Sequence, residues 1–216
     1  MSRLPAEPFL YPIVDTGLCR SRGLDPVAIS HAYLAGGARV LQLRDKAGSS
    51  AAFLSLADIL VQRCREVGAL LIVNDRADIA RLSGAAGVHV GQDDLSVSAA
   101  RRILEESAIV GVSTHDDRQV ERAIAEQPSY IAVGPIFGTS TKDTGYSARG
   151  LDLVRRAAGR GKPVVAIGGI TLQHLPDLVR AGASGIAVIS DLLISDDPEG
   201  RTREFMASLA KPPFME

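Results

Sequence analysis

Eight short apolar runs recur along the chain, and each is followed by an amphipathic stretch. The runs begin near Phe9 (FLYPIVD), Arg39 (RVLQLRD), Ala69 (ALLIVND), Gly87 (GVHVG), Ala108 (AIVGVST), Tyr130 (YIAVGPI), Pro163 (PVVAIGGI) and Gly185 (GIAVISD). Most are rich in β-branched residues and lack the polar alternation of a sheet with one wet face, as expected of strands buried on both sides. The segments between them carry helical spacing. From Ser49 to Gly68, the residues Phe53, Leu56, Ala57, Leu60, Val61 and Cys64 fall on one face at intervals of three and four. Asp25, Ser96 and Asp197 with Pro198 read as helix starts, and Gly36-Gly37, Gly68, Gly161 and Gly182 as helix stops.

Eight strand-helix repeats within 216 residues predict an α/β fold, a single (β/α)8 TIM barrel near its minimum length. A doubly wound open sheet shares the rhythm but at this length has about five to seven strands, and the eighth run here is well formed. No linker, low-complexity run or charge block divides the chain, so residues 1–216 are expected to form one domain, with 1–8 as a flexible N-terminal tail. Only 4% of residues are aromatic and none is Trp, which predicts a core of Ala, Val, Leu and Ile.

Composition limits the partners. The formal charge of −1 and the pI near 6.4 give no field to recruit nucleic acid or an anionic membrane. No signal-peptide stretch or run of about 20 apolar residues is present. Cys19 and Cys64 are too few and too isolated for a disulfide framework or a zinc site. The expectation is a cytoplasmic protein acting on small molecules, with assembly into a homo-oligomer left open.

Polar and glycine residues stand at the C-terminal ends of strand after strand. They are Gln42-Arg44-Lys46, Asn74-Asp75, Gln92-Asp93-Asp94, Ser113-Thr114-His115, Thr139-Ser140-Thr141-Lys142, Gly168-Gly169 and Ser190. In a barrel these ends meet at one mouth, where barrel enzymes hold their sites. Arg44, Lys46 and Lys142 suit phosphate oxygens. Asp75 and Asp94 are carboxylates from consecutive strands, a set that with phosphate-binding cations points to Mg2+. Gly168-Gly169 and Ile189-Ser190 follow the seventh and eighth strands, where backbone N–H groups commonly cradle a phosphate. Taken singly, each element has a plainer reading. Arg44 and Asp45 could form a surface ion pair, Asn74-Asp75 could cap the next helix, Asp93-Asp94 could be a solvated turn, and Gly168-Gly169 could be only a tight turn. His89, inside a strand, reads as structural, and His115 is ambiguous. The coincidence of all these elements at strand ends is what the plainer readings leave unexplained.

The series QLRDK (42–46), ND (74–75), GQDD (91–94), GVSTH (111–115), GPIFGTSTK (134–142), GGI (168–170) and VIS (188–190) closely resembles the thiamine-phosphate synthase family, in the same order from Tyr11 to Ser190. The resemblance implies that Gln42, Arg44, Lys46, Asn74 and Lys142 hold a pyrimidine diphosphate, all but Gln42 on or near its pyrophosphate. It implies that Asp75 and Asp94 ligate Mg2+, and that Ser113 is a pyrimidine-side contact. Thr139, Ser140 and Thr141 match the segment contacting a thiazole phosphate, with Gly169, Ile189 and Ser190 completing that cradle. Arg44, Lys46, Lys142 and Ser113 are the residues the resemblance assigns to catalysis. In this family the bond to pyrophosphate breaks ahead of attack, which fits a chain offering no nucleophile beside a base. Three positions depart from the pattern. Asp45 replaces a frequent Glu, Arg76 follows ND in place of Asp or Tyr, and Gly138 stands where many members carry Pro. The alternatives are a thiazole tautomerase-like relative, which lacks much of the pyrophosphate and Mg2+ set, and a non-catalytic ligand-binding barrel.

Overall fold

The strands pair in chain order and close on themselves, β1 joining β8 as well as β2. In this computed structural model, which describes residues 3–6, 8–138 and 145–210, β1 is Phe9–Asp15, β2 Val40–Arg44, β3 Leu70–Asn74 and β4 Gly87–Val90. β5 is Ile109–Thr114, β6 Tyr130–Val133, β7 Val164–Ile167 and β8 Gly185–Val188. All pairings are parallel, and the closed eight-stranded barrel confirms the expected (β/α)8 architecture. The helices among the described residues are α1 (Thr16–Ser21), α2 (Pro26–Ala35), α3 (Ser50–Glu66), α4 (Ala77–Ser83) and α5 (Val97–Ile103). They continue with α6 (Asp117–Ala125), α7 (Gly150–Ala158), α8 (Leu175–Arg180) and α9 (Pro198–Leu209).

Local chemistry sets the helix ends as the sequence suggests. Asp25, Ser49, Ser96 and Asp197 accept hydrogen bonds from backbone N–H groups in the first turns of α2, α3, α5 and α9, satisfying donors that would otherwise lack partners. α3 buries Phe53, Ala57, Leu60, Val61 and Cys64 against the barrel, the predicted face with only Leu56 left half-buried.

Strand alternation divides the core into two layers. Leu10, Leu41, Leu43, Leu71, Val73, Val88, Val110, Ile131, Val164 and Ile186 face outward into the helices. Phe9, Tyr11, Ile13, Val40, Ile72, Ile109, Tyr130, Val165 and Ala187 face the lumen. The outer layer is aliphatic as expected, but three of the chain's nine aromatic residues stand inside the barrel. Glycine makes the room: a Cβ on Gly111 would lie 2.0 Å from the Tyr130 ring, and one on Gly185 would lie 2.7 Å from the Phe9 ring. The inward row on β2 continues from Val40 through Gln42 to Arg44, and that on β3 from Ile72 to Asn74. The period of two therefore carries a row of polar groups from the sealed floor up to the mouth.

Candidate active site at the C-terminal mouth

Two ion pairs anchor the cationic side of the mouth. Arg44, at the end of β2, pairs with Asp15, the last residue of β1 and its register partner. Asp15 is 7% exposed and works in two directions: Oδ1 accepts from Leu18 N (2.9 Å), capping α1, while Oδ2 takes the guanidinium. A half-buried guanidinium is thus neutralised and fixed by a carboxylate that is itself held by a helix end. Asp45 is not Arg44's partner. It accepts from Ala47 N (3.1 Å) and Gly48 N (2.8 Å), closing the turn after β2.

Lys46 reaches across to Asp75. Asp75 follows β3 in the left-handed region (φ 64°), and its N–H is held by His89 O at 2.7 Å. A non-glycine residue there is strained by about 1–3 kcal/mol, a feature that clusters at functional sites. The capping reading of Asn74-Asp75 fails, because Arg76 occupies the cap of α4 and no side chain caps that helix. Arg76 instead binds both oxygens of Asp78 (2.8 and 2.6 Å) and Ser50 Oγ (3.0 Å), tying α4 to the start of α3.

Asp94 turns back onto its own loop, accepting from Gly91 N at 2.8 Å. Partial burial raises its carboxyl above the usual range, and hydrogen bonding and like charge from Asp75 add to the rise, against the Gly91 N–H and Lys46. Two carboxyls this close are electrostatically costly without a shared cation. They suit Mg2+, which is bound through one or two carboxylates, keeps several waters and takes further oxygens from a substrate phosphate. Among the described residues no group of three or more His, Cys, Asp or Glu side chains is placed to hold a metal ion. Asp93 is exposed.

The lumen beneath is polar as well. Gln42 and Asn74 are buried, and Gln42 Nε2 donates to the Tyr11 hydroxyl at 3.1 Å. His89 Nε2 lies 2.9 Å from Ser113 Oγ, and Gln92 Nε2 donates to Ser113 O at 2.6 Å. His115 stacks on Tyr146 (centroids 4.2 Å) and its Nδ1 meets Gly134 O, linking the ends of β5 and β6.

On the other side of the mouth, Gly168 and Gly169 have φ of 102° and 62°. A Cβ on Gly168 would meet Pro135 at 2.6 Å and one on Gly169 would meet Gly138 O at 2.3 Å, so both positive φ and close approach require glycine. Ile136 N and Phe137 N donate to Ile167 O and Gly168 O, laying the segment after β6 along the end of β7. Ile189 follows β8, and Ser190 opens a four-residue 3₁₀ turn with its side chain exposed.

The structure thus brings Gln42, Arg44, Lys46, Asn74, Asp75, Asp94, Ser113, Gly169, Ile189 and Ser190 to the C-terminal ends of one barrel. Thr139, Ser140, Thr141 and Lys142 lie outside the described residues. Sequence reasoning passed over Asp15, Tyr11 and Tyr130. All three sit in runs that are buried throughout, so no alternation marks their inward face; the single cue was an aspartate closing the first run.

Comparison with known proteins follows the same lines. A family model described as thiamine monophosphate synthase matches residues 10–192. The thiamine-phosphate synthase of Mycobacterium sp. (strain KMS) is 43% identical over 215 residues, covering 94% of this chain and 93% of that protein. That of Chloroflexus aurantiacus is 41% identical over 199 residues, covering 92% and 91%. Among solved structures, a thiamine phosphate pyrophosphorylase from Pyrococcus furiosus superposes with a TM-score of 0.84 at 29% identity, covering 93% of this chain and 95% of its own.

Proposed function

The chain belongs to the thiamine monophosphate synthase family, transferases of thiamine biosynthesis, and from that premise we infer the reaction and the division of labour at its mouth. The enzyme joins 4-amino-2-methyl-5-hydroxymethylpyrimidine diphosphate to 4-methyl-5-(2-hydroxyethyl)thiazole phosphate, giving thiamine monophosphate and pyrophosphate. The observation that carries this reading is the cluster of Lys46 with Asp75 and Asp94, one cation against two mutually repelling carboxylates, at the same barrel mouth as the Arg44–Asp15 pair.

The bond from the pyrimidine methylene carbon to pyrophosphate breaks first, and the electron pair leaves on oxygen. The thiazole nitrogen then gives its lone pair to the methylene carbon, forming the C–N bond. Arg44, Lys46, Asn74 and Lys142 hold the pyrophosphate and gain most as its charge develops. Asp75 and Asp94 hold Mg2+, which when bound neutralises leaving-group charge. Gln42 and Ser113 orient the pyrimidine. Thr139, Ser140, Thr141, Gly169, Ile189 and Ser190 hold the thiazole phosphate, which fixes the nucleophile near the carbon it attacks. Cys19 and Cys64, both free and buried, are in keeping with a cytoplasmic location, and no described helix is long and apolar enough to cross a membrane.

The test is direct. Purified protein with Mg2+ and both substrates should release pyrophosphate and form thiamine monophosphate in equal amounts, and Asp94→Ala should lose most of that activity while keeping its far-ultraviolet dichroism. Isomerisation of a thiazole phosphate without pyrophosphate release would instead establish the tautomerase alternative. Binding without turnover would establish the non-catalytic one.

A further inference from the structure

Five polar side chains cross the barrel lumen in one hydrogen-bonded line. Gln42 Nε2 donates to the Tyr11 hydroxyl (3.1 Å), which lies 3.0 Å from the Tyr130 hydroxyl. Tyr130 meets His89 Nδ1 at 2.9 Å, and His89 Nε2 meets Ser113 Oγ at 2.9 Å. The five come from β2, β1, β6, β4 and β5, so no single loop or helix imposes the line. Space for it is built in, since Gly111 is bare where the Tyr130 ring passes. That ring lies parallel to His89 (centroids 5.6 Å, 19°) and edge-on to Tyr11 (6.0 Å, 82°). Tyr11 and Tyr130 are 1% and 0% exposed, and phenylalanine would fill the same space without two hydroxyls to satisfy.

The line has a direction. The Gln42 amide nitrogen only donates, so the Tyr11 oxygen receives and its one proton passes to the Tyr130 oxygen. The Tyr130 proton then goes to His89 Nδ1, and an imidazole that accepts at Nδ1 carries its proton on Nε2, toward Ser113. Burial pushes both tyrosine hydroxyls well above their ordinary pKa and so keeps them protonated. At one end the Gln42 amide is fixed, and among the described residues none donates to its Oε1. At the other end Ser113 Oγ accepts from His89, which leaves the serine proton to donate.

We propose that Tyr11, Tyr130 and His89 are positioning residues that preset Gln42 as a hydrogen-bond acceptor and Ser113 as a donor, and thereby select an aminopyrimidine over its oxo counterpart. This rests on the synthase reading, which brings the pyrimidine to these two side chains. An aminopyrimidine offers an exocyclic N–H donor and ring-nitrogen acceptors. The lactam form of the 4-oxo analogue offers a carbonyl acceptor and a ring N–H donor in their place. A site whose hydrogen-bonding polarity is fixed from behind rejects a ligand of reversed polarity, because its buried groups are left unpaired.

Tyr130→Phe and Tyr11→Phe, assayed singly and together with Mg2+, test the proposal. Each single variant should lower the ratio of kcat/KM for the 4-amino over the 4-oxo pyrimidine diphosphate by roughly tenfold, leaving the KM for thiazole phosphate unchanged. The double variant should lose no more than either single one, because both break the same line. An unchanged ratio, or losses that multiply in the double variant, overturns the proposal. If a phenylalanine variant melts far below wild type, titration calorimetry of the two pyrimidine diphosphates on the wild-type protein decides, and equal affinities overturn it. Wild-type protein that prefers the amino compound but makes no thiamine monophosphate sinks the synthase reading while supporting the preset pair. An active synthase with no preference does the reverse.

Discussion

Asp15 shares its two oxygens between a helix end and a guanidinium, and the consequences for substrate binding can be separated from those for folding. Asp15→Asn keeps an acceptor for Leu18 N–H but faces Arg44 with a neutral amide. Arg44 must then be ordered by the substrate itself, which costs binding free energy. The KM for the pyrimidine diphosphate should rise roughly tenfold, the scale of one charge-assisted hydrogen bond; steady-state kinetics showing no change would refute the positioning role. The Asp75–Asp94 pair makes the opposite trade. Its proximity is useful to a metal and unfavourable to the folded chain, because burial and Asp75 together raise the Asp94 carboxyl. A carboxyl that titrates above its unfolded value binds more protons folded than unfolded, so the wild type loses stability as pH rises through that raised value. Asp94→Asn does not titrate. In magnesium-free buffer at about pH 7 it should therefore melt about 1–2 °C higher than wild type while losing most activity, and the gain should fade toward about pH 3, as the raised Asp94 carboxyl of the wild type takes up its proton. Calorimetric melting at the two pH values is the measurement, and a variant no more stable than wild type at neutral pH would count against the repulsion.

Elements were the most legible level of this chain. Parallel strands buried on both faces read as continuous apolar runs, and every predicted start lies within one residue of the observed strand. The same continuity hid what each strand carries inward. In FLYPIVD every residue is buried, so nothing in the run separates the lumen-facing Tyr11 from the outward Leu10. Polar residues at strand ends were visible as a group because the runs stop there. Their pairings were not: Arg44 with Asp15 and Lys46 with Asp75 each join different strands. At the Gly168-Gly169 turn the sequence allowed a bare tight turn, and the close passage of residues 134–138 makes it more demanding. Gly169→Ala must strain a φ of 62° and push its Cβ against the Gly138 carbonyl. A loss of about 2–4 kcal/mol in urea unfolding is expected, with a raised KM for thiazole phosphate. Gly159→Ala, at the end of α7 with φ −75° and open space around it, should stay within about 0.5 kcal/mol. Equal losses at the two positions would mean that the turn is not under steric constraint.

Across the whole molecule, the barrel keeps its two ends apart in chemistry. At the N-terminal end Leu4 packs beneath the lumen residues, and the cleft there, lined by Arg3, Leu4, Glu106, Ile109 and Ser184, holds none of the predicted site residues. The C-terminal mouth gathers charges that do not stabilise one another fully until a ligand completes them. Lys46, half exposed, is ion-paired with Asp75 and also acts on Asp94, a single positive charge beside two carboxylates. Ligand binding to the native state alone stabilises it by mass action, about 2.7 kcal/mol at a hundredfold excess over Kd. For a domain of this size that corresponds to a rise in Tm of roughly 5–10 °C. Mg2+ and pyrophosphate added together should approach that range, because each supplies the counter-charge the other needs. Either alone should give a much smaller shift, since Mg2+ meets only two protein carboxylates and pyrophosphate meets those carboxylates unscreened. Asp75→Asn should remove the dependence on Mg2+ and keep a residual response to pyrophosphate. Arg44→Ala should weaken the response to pyrophosphate at every Mg2+ concentration. These shifts need no turnover, so they examine the metal and pyrophosphate assignment separately from catalysis. Additive shifts for the two ligands, or an Asp75→Asn variant that still responds to Mg2+ as the wild type does, would show that the carboxylate pair is not where the metal meets the pyrophosphate.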